Sequence, residues 1–178
     1  VKNLNEYLKY YWLEKYLEDE VKPFFDRKHY ITAEQFFAII IWKRNASKTK
    51  IREGIEKSHK TIFEITSEIY RAESLEGKMK ILIAIDGISY SFASAILTIL
   101  YPELFTISDY RVSRSLKEQF NINAPETIST KTEYFAYLNA CKKLSEKNRL
   151  SLRDCDRALW GRDFYEGKQG LKSLANGL

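Results

Sequence analysis

The sequence predicts an all-α protein, a compact bundle of about eight helices, and three observations predict it. Proline and glycine are sparse, at three and seven residues in 178, so long segments run without the punctuation that ends helices. Apolar residues recur three and four apart in one segment after another and nowhere alternate with period two over the length of a strand. At Thr32, Thr130 and Ser151 a hydroxyl stands three residues before Gln, Glu or Asp, the spacing at which a helix start ties its first turn to its cap. The length suits one domain with one core; residues 1–160 are expected to form it, and 161–178 to be a loosely ordered or wrapping tail.

Taken in order, Leu4, Leu8, Tyr11, Trp12 and Leu17 keep helical spacing over residues 4–20, and Pro23 is expected to stop that helix. Thr32-Ala33-Glu34-Gln35 opens a thickly apolar helix through Phe36, Phe37, Ile39, Ile40 and Ile41, expected to be largely buried. The stripe Ile51, Ile55, Ile62, Ile65, Ile69 predicts one helix over about 48–72, and Gly77 a break before another at Met79–Ile85. After Gly87 an apolar helix runs over Ser91–Tyr101 to Pro102, and Asp109 stands at the cap of a helix Tyr110–Phe120. A loop with Pro125 follows, then a helix Glu133–Lys147 behind the Thr130 box, then a last one from Ser151 to Trp160. Trp12, Trp42 and Trp160 each follow an apolar helical pattern and are expected to pack in the core rather than stack on a base.

The balance of 44% hydrophobic and 30% charged residues excludes disorder as the main state, and no apolar run approaches the ~20 residues that span a bilayer. Two cysteines, Cys141 and Cys155, make neither a disulfide framework nor a zinc or iron–sulfur set, and a reducing cytosol fits them best. The placement expected is cytoplasmic, at the nucleoid if the chain is bacterial. His29 and His59 have no partners at ligand spacing, so no metal site is expected. The net charge of +5 is a weak pointer to an anionic partner, but Lys43, Arg44, Lys48, Lys50 and Arg52 form a stretch free of acids. Such a stretch either tracks phosphates or is a solvated helix end.

The most informative segment is Ile85-Asp86-Gly87-Ile88-Ser89-Tyr90-Ser91-Phe92-Ala93, followed by Phe105-Thr106-Ile107-Ser108-Asp109. A turn of glycine and small residues exposes backbone N–H groups at a helix start, where donors and dipole both favour a phosphate. The segment resembles the hairpin of the helix-hairpin-helix DNA glycosylases, apolar-x-Gly-apolar-Gly-x-x-x-Ala. Asp109 stands 22 residues after Gly87, as the catalytic aspartate does in that superfamily's endonuclease III and mismatch-adenine branches. The resemblance implies an abridged helical barrel without an iron–sulfur cluster, acting on double-stranded DNA. It makes Asp109 catalytic and Gly87, Ser89, Tyr90 and Ser91 contacts to the DNA backbone. Asn45, after Lys43 and Arg44, takes the place of the family residue that fills the hole left by a flipped base. Ser91 occupies the position of the lysine nucleophile of bifunctional members, which implies a monofunctional enzyme. Ser89 departs from the second hairpin glycine, and the 42 residues from Asn45 to Gly87 are fewer than in the endonuclease III branch. A monovalent cation at the hairpin carbonyls is implied by the family alone; no other cofactor is expected.

The residues keep other uses open. Asp109 is either the acid of a glycosylase, stabilising a sugar cation and activating water, or simply the cap of its helix. Arg111 and Arg114 either touch phosphates or pair with Glu118, and Tyr90 is either a backbone contact or one surface tyrosine among twelve. Asp154, Asp156 and Arg157 are expected in caps and surface ion pairs, with Asp156 a subordinate second acid. Two other functions follow if Asp109 does no chemistry: a non-catalytic helix-hairpin-helix DNA-binding module, or an all-α interaction protein without nucleic acid, which the acidic excess in 61–141 favours.

Overall fold

Every regular element in the structure, a computed structural model that describes residues 12–176, is helical. Among the described residues there is no strand, and eight helices run nine residues or longer. Leu4, Leu8 and Tyr11 lie outside the described residues. The chain divides into two compact units, one ending at Leu100 and one beginning at Tyr101.

In the first unit, α1 (Leu13–Tyr16) widens into a π-turn (Leu17–Val21) and continues as α2 (Lys22–Lys28). Pro23 therefore does not stop the helix. It sits in the first turn of α2, and the wide turn before it relieves the clash that a proline ring makes with the carbonyl four residues back. The stop falls at His29, left-handed at φ 66°. Next, α3 (Ala33–Arg44) opens with the expected capping box: Gln35 N–H donates to Thr32 Oγ1 at 3.2 Å and Thr32 N–H to Gln35 Oε1 at 3.0 Å. It buries Phe36, Ile39 and Ile40 but leaves Ile41 exposed and Trp42 half-buried, because its apolar residues run round the helix while only one face meets the core.

A 3-10 turn (Asn45–Ser47) leads into α4 (Lys48–Lys57). The isoleucine stripe is cut here. His59 turns left-handed at φ 54°, and Thr61 opens α5 (Ile62–Arg71) through a capping box with Glu64. Gly77 is no break either: α6 (Leu75–Ile83) already starts at Ser74, whose Oγ accepts from Gly77 N–H at 3.0 Å. The buried Lys78 donates from Nζ to the carbonyls of Ile69 (2.8 Å) and Ala72 (2.6 Å), setting a cation at the C-terminal end of α5. The helix dipole favours it there, although burial lowers its pKa. The centre of this unit is α7 (Tyr90–Leu100), buried without interruption from Phe92 to Leu100 and packed by α2, α3, α6 and the π-turn.

In the second unit, Asp109 caps α8 (Tyr110–Phe120), Thr130 opens α9 (Lys131–Asn148) and Ser151 opens α10 (Leu152–Glu166), all near their expected bounds at the start. The last helix does not end at Trp160. It runs through Gly161 to Glu166, because Asp163 is buried and held by Arg114, and a short α11 (Leu171–Ala175) follows. Both α8 and α9 pack on α10. The tryptophans are not core residues: Trp12 and Trp160 are exposed. Asp156 is not on the surface but buried against the equally buried Arg153 one turn earlier, so it serves as the partner of an enclosed cation.

The capping boxes carry a pH dependence. Glu133 accepts from the N–H groups of Ser129 and Thr130, each at 2.9 Å, and these backbone bonds hold its pKa below the usual 4.5. A depressed folded-state pKa adds stability that is complete above the unfolded value and is lost as pH falls through the folded one. In urea titrations, wild type is expected to exceed Glu133→Gln at about pH 6, and the two midpoints to converge towards about pH 3. A constant gap across that range would contradict the assignment.

Candidate nucleic-acid interface

Between α6 and α7 the chain reverses through Ile85-Asp86-Gly87-Ile88. Ile88 N–H donates to the Ile85 carbonyl at 3.1 Å and Gly87 has φ 84°, the bond and the left-handed third residue of a type II turn. Ile85 and Ile88 are buried and anchor the turn, while Asp86 and Ser89 are exposed. Ser89 does not need the freedom of the glycine it replaces in the resemblance. It is not among the residues of positive φ, and its carbonyl accepts from Ala93 N–H at 2.9 Å as α7 begins. Tyr90 and Ser91 follow, half-buried, in the first turn of that helix. The Ile85 and Ser89 carbonyls thus accept hydrogen bonds, and that of Asp86 meets Gly54.

The basic stretch reaches this turn through α4. A Cβ on Gly54 would lie 1.8 Å from the Asp86 carbonyl oxygen, and one on Gly87 would lie 3.1 Å from the Lys50 carbonyl oxygen. Backbone therefore lies directly on backbone, with Lys50 beside Gly87 and Lys57 Nζ 3.3 Å from Asp86 Oδ2. Lys43 and Arg44 end α3, and the exposed Asn45 accepts from Lys48 Nζ at 2.7 Å. Sequence reasoning missed Gly54; its signal was a glycine inside an otherwise regular basic helix, which local helix propensity disfavours.

In the second unit, Phe105, Thr106, Ile107 and Ser108 form a buried irregular segment ahead of Asp109. Two enclosed phenols hold it. Tyr134 Oη donates to the Thr106 carbonyl at 2.9 Å and Tyr137 Oη to the Ile107 carbonyl at 2.7 Å. Burial pushes both pKa values up, so they stay protonated donors. Removing one donor strands a buried carbonyl, and Tyr137→Phe is expected to cost about 1–3 kcal/mol in chemical denaturation. An unchanged midpoint would mean that the segment is held by packing alone. Asp109 itself is half-buried, and its Oδ1 accepts from Arg111 N–H at 3.0 Å, closing the first turn of α8.

Arg111 and Arg114 meet Asp163. Arg114 binds it with a fork, Nε to Oδ1 at 2.5 Å and a terminal nitrogen to Oδ2 at 2.7 Å, which raises the arginine's pKa, while Arg111 Nε stands 3.7 Å from Oδ2. The Arg111 guanidinium also lies over the rings of Tyr110 (5.0 Å) and Trp160 (5.1 Å). Nothing local in the sequence marks Asp163, which follows Gly161 where the last helix is expected to have ended.

Other chemistries find little support. Among the described residues no three His, Cys, Asp or Glu side chains gather as a metal set. Cys141 and Cys155 are buried, and burial pushes both thiols above their usual pKa, away from the thiolate a nucleophile needs. No described helix is long and apolar enough to cross a membrane. No family model matches the chain, and no curated protein or solved structure proved significantly similar to it.

Proposed function

We propose that this chain is a monofunctional DNA glycosylase of the helix-hairpin-helix kind, hydrolysing the N-glycosidic bond of a damaged, modified or mismatched base. The observation that carries the reading is the type II turn at Gly87, lying against Lys50 and opening α7, with a capping carboxylate 22 residues later at the head of α8. A helix start that follows a glycine turn packed against Lys50 suits a DNA phosphate. Extruding the nucleotide costs a few kcal/mol, least for damaged or mismatched bases, so this step already selects lesions. As the bond from C1′ to the base nitrogen breaks, its electron pair leaves with the base and positive charge grows on the sugar. The Asp109 carboxylate stabilises that charge and takes a proton from the water whose oxygen bonds to C1′. With Ser91 where bifunctional relatives carry lysine, water is the only nucleophile in this scheme, and the product is an abasic site.

The test incubates the protein with duplexes carrying single lesions or mismatches and scores strand breaks before and after alkali. Breaks that appear only after alkali are the expected result for at least one base. One observation favours a second reading: the Asp109 side chain already has a structural task, accepting from Arg111 N–H. If it has no other, the protein is a DNA-binding module, and every duplex will be bound at low salt and left intact.

A further inference from the structure

The first turn of α8 and the last two turns of α10 bring aromatic rings and arginines together on one surface. Trp160 and Phe164 are stacked, ring centroids 5.4 Å apart and planes 11° from parallel. The Arg111 guanidinium lies over Trp160 and Tyr110, and that of Arg114 lies 5.6 Å from the Tyr110 ring. Tyr110, Trp160 and Phe164 are 47%, 39% and 42% exposed, more than is usual for large aromatic side chains. The carboxylate that both arginines face, Asp163, is buried beneath them, while their own side chains are about one-third exposed beside the rings.

We propose that Tyr110, Arg111, Trp160 and Phe164 form a stacking platform for unpaired bases of a DNA strand. A purely apolar partner would enclose two guanidinium groups that share the single Asp163 carboxylate, and a purely charged one would leave three rings in water. A nucleic-acid strand with bases out of their stack offers flat faces to the rings and phosphates to the guanidinium edges. Its ion pair with Asp163 and the two rings it lies over restrain Arg111 before any strand arrives, which limits the side-chain freedom lost on binding. The platform starts on the helix that Asp109 caps, where a protein that unstacks a nucleotide gains from holding bases out of the duplex. For the nature of its partner the inference rests on the reading of the chain as acting on DNA.

The experiment titrates the full chain, carrying Asp109→Asn so that the DNA stays intact, with single-stranded oligothymidylate and with an equally long strand of abasic tetrahydrofuran units. Oligothymidylate is expected to quench tryptophan fluorescence and the abasic strand to quench it far less, with the difference lost in Trp160→Leu while Trp12 and Trp42 remain. Trp160→Leu combined with Phe164→Leu is expected to weaken oligothymidylate binding about ten-fold or more. Trp160→Phe, which keeps a ring, should restore most of it, and thermal unfolding followed by circular dichroism confirms that each variant is folded. Equal affinity for the abasic strand, or unchanged affinity in the folded double variant, overturns the platform even if base removal is observed. Stacking on Trp160 by a protein that removes no base in the alkali assay leaves the platform standing and the enzyme reading refuted.

Discussion

Asp109→Asn is expected to leave α8 capped, the fold intact and duplex binding unchanged, while slowing base release by on the order of 10²–10⁴-fold. The substitution separates the two tasks of one side chain. Asparagine is as good a helix cap as aspartate, so its side-chain oxygen keeps the bond to Arg111 N–H and the stability change stays within a few tenths of a kcal/mol. It carries no charge to set against a growing sugar cation and does not take a proton from water. The measurement is single-turnover release of whichever base the lesion panel identifies, beside a melting curve and a duplex titration on the same preparation. A rate equal to wild type would leave Asp109 as a cap and nothing more.

Gly54→Ala is expected to be the most disruptive single-methyl change in the first unit. The added Cβ would sit 1.8 Å from the Asp86 carbonyl oxygen, and neither partner is a flexible side chain, so α4 must move off the turn. Overpacking of this kind costs about 1–3 kcal/mol or more. The same movement takes Lys50 away from Gly87, so the salt dependence of duplex binding should weaken by about one unit of slope, as for the loss of one phosphate contact. Gly161→Ala is the control. It too lies inside a helix, but nothing stands within 4 Å of its new Cβ, and it is expected to raise stability by about 0.5–1 kcal/mol. If both alanines behaved alike, the close approach at Gly54 would not be what fixes α4 to the turn.

Starts of helices were legible in the sequence because each is written in a few adjacent residues. Thr32, Asp109, Thr130 and Ser151 all cap where spacing placed them. Stops and breaks were less so. Pro23 and Gly77 are both accommodated in first turns, where a missing N–H or a missing side chain does little harm, and the box at Thr61 was masked by an isoleucine stripe that keeps its phase across the gap. The turn at Gly87 was readable because positive φ calls for glycine. What lay beyond reach were contacts joining distant residues: Gly54 against Asp86, Tyr137 beneath Ile107, Asp163 beneath Arg114. The tryptophans misled for the same reason, since an apolar period says which residues share a face and not whether another element covers it.

The clamp on Asp163 also has a timetable. Arg114 is separated from it by 49 residues, and a ribosome working at about 5–20 residues per second needs several seconds to cover that distance. During that interval the aromatic and cationic first turn of α8 lacks the Asp163 carboxylate and has only its Asp109 cap. The first unit meets no such delay, because its last helix ends at Leu100 before any of this begins. Synthesis therefore lets the turn-bearing half settle first, and the half that holds Asp109 takes its final form only once Asp163 has emerged.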